Sequence, residues 1–191
     1  MPQLISKDNA LVKAGDSKVE SLKRKTGHLT RSFVPNVSLF AGQESFKYVT
    51  DNFNTQFFAG KTVVVFGGSY GIGKEIVTLV KKFGGNVYSY SRSETNTHIE
   101  NAKSVEKALE KSYLETGRID FVVNTAAILI KKPLQHMSHK EILDSLNVNY
   151  LGVINIAKAS EKYLTETSGG LLLFTSSSYT RGRSNYSLYS S

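Results

Sequence analysis

The stretch Thr62-Val-Val-Val-Phe-Gly-Gly-Ser-Tyr-Gly-Ile-Gly73 decides the fold. Its first five residues form a β-branched run that ends in glycine, as a buried strand of a parallel sheet does. Apolar residues then recur at helical spacing, at Ile72, Ile76, Val77 and Val80. The stretch therefore predicts a strand, a glycine-rich turn and the start of a helix in immediate succession.

Three glycines of this turn have distinct predicted roles. Gly67 permits the tight strand-to-helix turn, Gly71 lets the main chain approach a pyrophosphate, and Gly73 allows close helix–strand packing. The start of the helix offers unpaired N–H groups and a partial positive charge, which suit phosphates. A dinucleotide site is therefore predicted, with an ordinary glycine-rich turn as the alternative. The predicted site also takes in the residues between the glycines: Ser69, Tyr70 and Ile72.

Strand and helix patterns alternate downstream of this turn. Short apolar runs predict strands at residues 86–90, 119–124 and 171–174, and helical periodicity lies between them. The segment Ser138-His-Lys-Glu141 has the form of a capping box and predicts the start of a long helix. Such alternation predicts an α/β fold, a doubly wound parallel sheet with helices on both faces.

Composition narrows the classes of function. The 191 residues include no cysteine and only four histidines, so disulfides, thiolate metal sites and a cysteine nucleophile are excluded and no metal site is expected. The longest apolar runs are far shorter than the roughly 20 residues that span a bilayer, so no membrane partner is expected. No secretory leader is visible at the N-terminus, and a cytoplasmic location is expected.

The chain is basic, with 24 Lys and Arg against 16 Asp and Glu. Residues 1–50 carry half of the excess, with eight basic and four acidic side chains. Anionic partners such as phosphorylated metabolites suit this charge, but no nucleic-acid motif accompanies it, so nucleic-acid binding is not expected. Residues 1–58 lack clean periodicity and are interpreted as a basic extension, a linker or the remnant of a preceding domain.

The glycine loop, with its G-x-x-x-G-x-G spacing, resembles that of the short-chain dehydrogenase/reductase family. Phe66 stands where this family usually has a threonine, which removes a hydroxyl that ties down the loop. The segment Gly117-Arg-Ile-Asp-Phe-Val-Val-Asn-Thr-Ala-Ala127 resembles a second family motif, with departures at Thr125 and Ala127. The resemblance implies that residues 59–191 form a Rossmann-type NAD(P)-binding domain, C-terminally incomplete because the family's last strands and helices are not in the sequence.

The resemblance also implies roles for individual residues. Asn124 and the main chain of Ala126 would line the adenosine ribose of the cofactor. Asn149, Ser176 and Tyr189 stand at the catalytic positions, and the thirteen-residue separation of the last two is common in the family. Tyr189 would give a proton to a carbonyl oxygen, Ser176 would hydrogen-bond that oxygen, and Asn149 would hold a water molecule.

Cofactor preference is predicted from the end of the second strand. An acidic residue there binds the ribose 2′-hydroxyl of NAD, and Ser91 and Arg92 stand in its place. Arg92, with Lys74 nearby, favours NADP; NAD, with Arg92 facing solvent, is the alternative.

Only residues 91–100 separate the second strand from the next predicted helix. This connection is too short for a further crossover helix and strand. His98 falls where the family commonly has the aspartate that contacts adenine.

The family's tyrosine is followed four residues later by a lysine that brings the phenol towards a working pKa. That lysine would be residue 193, and the sequence has 191 residues, so we expect little or no turnover from this chain.

The leading prediction is an NADP-preferring oxidoreductase that reduces a small carbonyl compound to an alcohol. The chain is similar to reductase domains fused to nucleotidyltransferases in polyol-phosphate synthesis, which implies a pentulose phosphate substrate and, for the full-length protein, a homo-oligomer. Residues Lys131, Lys132 and His136 could hold the phosphate, with a solvated loop as the alternative. The competing functions are a non-catalytic dinucleotide-binding or interaction module, and an anionic-surface binder that uses the basic N-terminal region.

Overall fold

Four parallel strands form the central sheet of the part of the chain that the computed structural model describes, residues 56–179 and 181–190. The strands are β1 (Thr62–Phe66), β2 (Asn86–Tyr90), β3 (Phe121–Asn124) and β4 (Gly170–Leu173). Their order in the sheet is β2-β1-β3-β4, and all three pairings are parallel, as predicted. The chain therefore moves from β1 to one side of the sheet and returns to the other side at β3.

Helices connect these strands. They are α1 (Gly71–Lys82), α2 (Arg92–Thr95), α3 (Ala102–Thr116), α4 (His139–Leu146) and α5 (Gly152–Thr167). A π-helical turn, Asn147–Leu151, joins α4 to α5, so the long helix predicted from Ser138 continues with one wide turn in it. Short 3-10 helices lie at Leu134–His136, Ser177–Tyr179 and Ser187–Tyr189. None of the described helices is long and apolar enough to cross a membrane.

Side-chain caps mark the starts of α3 and α4. The hydroxyl of Ser138 accepts from the N–H of Glu141, whose carboxylate accepts from the N–H of Ser138, which confirms the capping box predicted for α4. Asn101 caps α3 by accepting from the N–H of Ser104. At α1, by contrast, Tyr70 makes no side-chain cap.

Helices cover both faces of the sheet, which confirms the doubly wound prediction. Val63 and Val65 of β1 lie in the core beneath α1, whereas Val64 and Phe66 lie in the larger core beneath α3 and α5. This alternation follows from the two-residue period of a strand. Because all four side chains are at most 1% exposed, β1 is the buried centre of the sheet.

Two strands differ slightly from the predicted ranges. The ladder of β3 begins at Phe121, two residues later than predicted, although the N–H of Asp120 already donates to the carbonyl of Thr62 at 2.8 Å. The ladder of β4 ends one residue early, and Phe174 is 48% exposed. Residues 91–100 contain α2 and no strand, as the short spacing predicts.

Asp120 is a buried carboxylate that joins β1 to β3. Its oxygens accept from the N–H of Thr62 at 2.8 Å and from the guanidinium of Arg118 at 2.9 and 2.6 Å. Burial alone would raise the pKa of Asp120, but the hydrogen bonds from Arg118 and Thr62 outweigh burial and hold that pKa below its ordinary value. The ionised carboxylate therefore stabilises the fold.

We expect Asp120→Ala to lower the free energy of unfolding by about 2–3 kcal/mol at pH 7, because it leaves the N–H of Thr62 unpaired. Since the folded pKa is the lower one, this contribution is present above the ordinary value of 3.8 and is lost as pH falls through the folded pKa. Urea unfolding at pH 7 and at acid pH measures it. The control is Asp144→Ala, which removes an exposed pair with Lys140. An equal loss at both pH values would contradict this account.

Candidate functional site

A cleft of about 1360 Å³ opens where the strands reach their carboxyl ends. Ligands bind at this edge of doubly wound sheets, where the strand order reverses between β1 and β3. The residues predicted for catalysis and for the glycine loop, the ribose and the end of the second strand all line this cleft: Gly67, Ser69, Tyr70, Gly71, Ile72, Gly73, Ser91, Arg92, Asn124, Ala126, Asn149, Ser176 and Tyr189. The further candidates do not line it: Lys74, His98, Lys131, Lys132 and His136. The fold thus brings together segments that are far apart in the sequence.

The glycine loop lies so close to the loop after β3 that two of its glycines have no room for a side chain. A Cβ on Gly67 would lie 2.5 Å from the nitrogen of Ala126, and one on Gly73 would lie 2.3 Å from the carbonyl oxygen of Gly67. Gly71 has open space around it but a φ of 57°, which favours glycine. Packing therefore requires Gly67 and Gly73, while the conformation requires Gly71.

Thr125 anchors the glycine loop from the neighbouring strand. Its N–H donates to the carbonyl of Phe66 at 2.8 Å, and its hydroxyl lies 3.1 Å from the carbonyl oxygens of both Phe66 and Gly67. Phe66 and Thr125 are two of the departures from the family pattern, and the structure pairs them. Position 66 has no hydroxyl that could tie down the loop, and the hydroxyl of Thr125, which follows the neighbouring strand β3, takes that role.

The start of α1 is open to an anion. In each of α2, α3 and α4, one N–H of the first turn donates to the side chain of the N-cap residue, whereas α1 has no side-chain cap and no acidic residue in its first turn. Gly71, Ile72 and Gly73 begin this helix and line the cleft. Unpaired N–H groups and the helix dipole together favour a phosphate at this position.

Polar residues beyond β2 form a hydrogen-bonded group around Arg92. The hydroxyl of Ser91 caps α2 by accepting from the N–H of Glu94 at 3.1 Å. Arg92 Nη2 lies 3.0 Å from Glu100 Oε1, and His98 Nδ1 lies 3.2 Å from the same oxygen. Sequence reasoning missed Glu100 because it sought an acidic residue only at the end of the strand, whereas the turn through α2 brings one from eight positions further along.

Glu100 remains a carboxylate in this group. Burial alone would raise the pKa of Glu100, but its backbone hydrogen bond and the contacts with His98 and Arg92 outweigh burial and lower the pKa. Its second oxygen, Oε2, is buried and has no hydrogen-bond partner within residues 56–179 and 181–190. The cleft therefore has both a cation and an acceptor with free capacity near the end of β2.

Asn149 lies in the π-helical turn, and its side chain holds the loop after β3. Its Oδ1 accepts from the N–H of Ile128 at 2.9 Å, and its Nδ2 donates to the carbonyl of Ile128 at 2.8 Å and to Ser145 Oγ at 3.3 Å. The amide therefore anchors the loop and keeps one lone pair of Oδ1 for a water molecule. Single π-turns within helices are frequent at functional sites.

Ser176 and Tyr189 reach the cleft from the segment after β4. Ser176 Oγ lies 2.8 Å from the hydroxyl of the buried Ser178. Tyr189 ends a 3-10 helix, and the centre of its ring lies 6.2 Å from that of Tyr186 in an edge-on arrangement. Within the described residues, no three metal-ligating side chains come together.

Alanine substitutions separate the two kinds of glycine in this loop. We expect Gly73→Ala to destabilise the protein by about 3 kcal/mol, because its Cβ meets a main-chain carbonyl that cannot yield. Gly71→Ala should cost about 1 kcal/mol, from the left-handed φ alone. Urea unfolding measures both, and equal losses would show that the loop is not packed as described.

The family model described as short chain dehydrogenase matches residues 61–191. The chain is 51% identical over 131 residues to a bifunctional ribulose 5-phosphate reductase/CDP-ribitol pyrophosphorylase of Haemophilus influenzae; the match takes in 69% of this chain and 27% of that protein. It is 25% identical over 146 residues to L-xylulose reductase of Cavia porcellus, or 70% of this chain and 60% of that one.

Solved structures share the fold. A 3-ketoacyl-(acyl-carrier-protein) reductase of Brucella melitensis complexed with NADH superposes with a TM-score of 0.66 at 21% identity, covering 70% of this chain and 64% of that one. The aldohexose dehydrogenase of Thermoplasma acidophilum gives 0.67 at 23% identity, with 71% and 56% covered. With the glycine loop, the strand order and the family model in agreement, the chain belongs to the short-chain dehydrogenase family, whose members bind NAD or NADP.

Proposed function

We propose that this chain binds NADP(H) and reduces the carbonyl of a small phosphorylated sugar, such as a pentulose phosphate, to an alcohol. The observation that carries the proposal is the uncapped start of α1 beside the glycine loop, in the same cleft as Asn149, Ser176 and Tyr189. The printed name of the Haemophilus influenzae relative supports the substrate class. The name of L-xylulose reductase, another relative by sequence, also refers to a pentulose and supports the same class.

The cleft suits the cofactor in two ways. The N–H groups at the start of α1 would bind its diphosphate, since no protein side chain caps them. Gly71, with open space around it, would let that diphosphate approach the main chain, and Asn124 and Ala126 would line the adenosine ribose. When bound, the nicotinamide supplies the hydride for carbonyl reduction.

Three side chains of this chain would then serve the reaction. The hydroxyl of Tyr189 donates a proton to the carbonyl oxygen as negative charge develops there. Ser176 donates a second hydrogen bond to the same oxygen, with its position set by Ser178. Asn149 holds a water molecule through the free lone pair of Oδ1. This water would pass protons from bulk solvent to the cleft.

NADP is the cofactor that Arg92 favours. A guanidinium at the end of β2 matches the charge and the acceptor geometry of a 2′-phosphate. Glu100 competes with that phosphate because its carboxylate already accepts from Arg92 at 3.0 Å. The preference of the site thus reflects a balance between one cation and one nearby anion.

Arg92→Ala should weaken NADPH binding about tenfold and change NADH binding less than twofold, because only NADPH has the phosphate that the guanidinium contacts. Glu100→Gln should strengthen NADPH binding relative to NADH, because it removes the competing charge. Titrations followed by the fluorescence of the reduced nicotinamide give both dissociation constants. A parallel loss of both cofactors in Arg92→Ala would contradict the predicted phosphate contact.

The proposed reaction is tested by transfer of deuterium. The chain, in excess over D-ribulose 5-phosphate, is incubated with NADPH that carries deuterium at C4, and mass spectrometry detects labelled pentitol phosphate. This single-turnover design suits the little or no turnover expected of this chain, because one reaction per chain is enough to give labelled product. We expect Tyr189→Phe to reduce the rate at least about 100-fold. Tyr113→Phe is the matched control and should leave the rate unchanged, because the hydroxyl of Tyr113 contacts Glu166 and does not line the cleft.

The outcomes separate the competing functions. Labelled product that depends on Tyr189 supports the reductase. Binding of NADPH without any labelled product favours a non-catalytic dinucleotide-binding module. Absence of NADPH binding overturns the proposal as a whole.

The domain boundary and assembly are proposed as well. Residues 1–55 lie outside the described residues, so the predicted extension over residues 1–58 remains a proposal for that part, and only its last three positions are described. Phe58 packs in the core beneath α1, and the ring of Phe57 lies 5.8 Å from that of Phe121, so both belong to the folded unit.

A homo-oligomer is supported by exposed apolar side chains along α4, the π-turn and α5: Leu143, Leu146, Tyr150, Leu151 and Ile154. A cytoplasmic location suits the use of NADPH.

A further inference from the structure

We propose that Lys131 and Arg183 bind the phosphate group of the sugar substrate, at a basic site beside Tyr189. This inference rests on the proposed function and adds the residues that would recognise the phosphate. It is carried by the convergence of two cations, from two different loops, on the ring of Tyr186.

The two cations contact one aromatic ring. Lys131 Nζ lies 5.3 Å from the centre of the Tyr186 ring, and Arg183 Cζ lies 5.8 Å from the same point. Both distances are within the range of a cation–π interaction. The ring therefore holds an ammonium and a guanidinium in one neighbourhood, although the two residues are 52 positions apart in the sequence.

A main-chain hydrogen bond fixes the two loops together. The N–H of Lys132 donates to the carbonyl of Asn185 at 3.1 Å, which joins the loop after β3 to the loop before Tyr189. Asn185 has a φ of 65°, in the left-handed region that asparagine tolerates better than most residues. The spacing of Lys131 and Arg183 is thus set by backbone contact as well as by their side chains.

Charge balance distinguishes these two cations from their neighbours. Lys132 lies 2.7 Å from Glu141, and Lys140 pairs with Asp144. The hydrogen bonds from Lys132 and Ser138 lower the pKa of Glu141 to about 2, so that pair stays ionised at neutral pH. Among residues 56–179 and 181–190, neither Lys131 nor Arg183 forms an ion pair with a carboxylate. Each of the two charges therefore contacts the Tyr186 ring and has no carboxylate partner within the described part of the chain.

A phosphate monoester fits this arrangement. It carries up to two negative charges and several acceptor oxygens, so it can accept from an ammonium and a guanidinium at once. The Tyr186 ring lies 6.2 Å from the ring of Tyr189, the proposed proton donor. A ketose that places its carbonyl at Tyr189 would extend its phosphate-bearing end towards these cations. Lys132 and His136 were also predicted as candidates for the phosphate. Lys132 is already paired with Glu141, and His136 is not among the cations that contact Tyr186.

The test compares a phosphorylated ligand with its unphosphorylated counterpart. Isothermal titration of the full chain with ribitol 5-phosphate and with ribitol, each with and without saturating NADP+, gives the contribution of the phosphate. Lys131→Met and Arg183→Met should each weaken ribitol 5-phosphate binding about tenfold, leave ribitol binding unchanged and leave the NADP+ affinity within twofold. Lys140→Met is the matched control, since it removes one exposed cation of the same region, and should have less than a twofold effect.

Each outcome decides the inference. It is overturned if the wild-type chain binds both ligands equally, if the two variants retain the wild-type preference, or if Lys140→Met has the same effect as they do. Thermal unfolding verifies that the variants are folded, and both side chains are exposed, so no loss of the core is expected. Failure of NADP+ to bind counts against the proposed function alone, because the phosphate preference is also measured without the cofactor.

Discussion

The close approach of the glycine loop to the loop after β3 is the constraint on which the rest of the site depends. Gly67 and Gly73 remove the side chains that would separate the two segments, and Thr125 closes the contact with its N–H and hydroxyl. This contact aims the start of α1 into the cleft and sets Asn124 beside it. Without it, the anion-binding helix end and the segments from β3 and β4 would not share one cavity.

Local rules were sufficient for most of the fold. The β-branched run of β1, the glycines after it and the capping box of Ser138 and Glu141 each specify structure within a few residues, and each was predicted correctly. Alternation of such segments also predicts a parallel sheet, because each parallel pair needs a helical crossover. The boundaries of β3 and β4 were less exact, since they depend on pairing with a neighbouring strand.

Contacts between distant segments were beyond sequence reasoning. Nothing local indicates that Glu100 accepts from Arg92, that Asn149 holds Ile128, or that Glu141 neutralises Lys132. Each of these side chains belongs to a loop or helix whose partner is set by the tertiary fold. The pairing of Phe66 with Thr125 is instructive, because two separate departures from a family pattern can be read together as a single compensated change.

The π-turn has a consequence for changes in chain length. An α-helix rotates by about 100° per residue, so the additional residue within Asn147–Leu151 offsets the azimuth of α4 against that of α5. Asn149 can therefore face Ile128 while Ile156 stays fully buried. Deleting one residue here would regularise the helix and misalign one of these two faces. Insertions and deletions between α4 and α5 are therefore tolerable only in combinations that preserve the rotation of one helix relative to the other about their common axis.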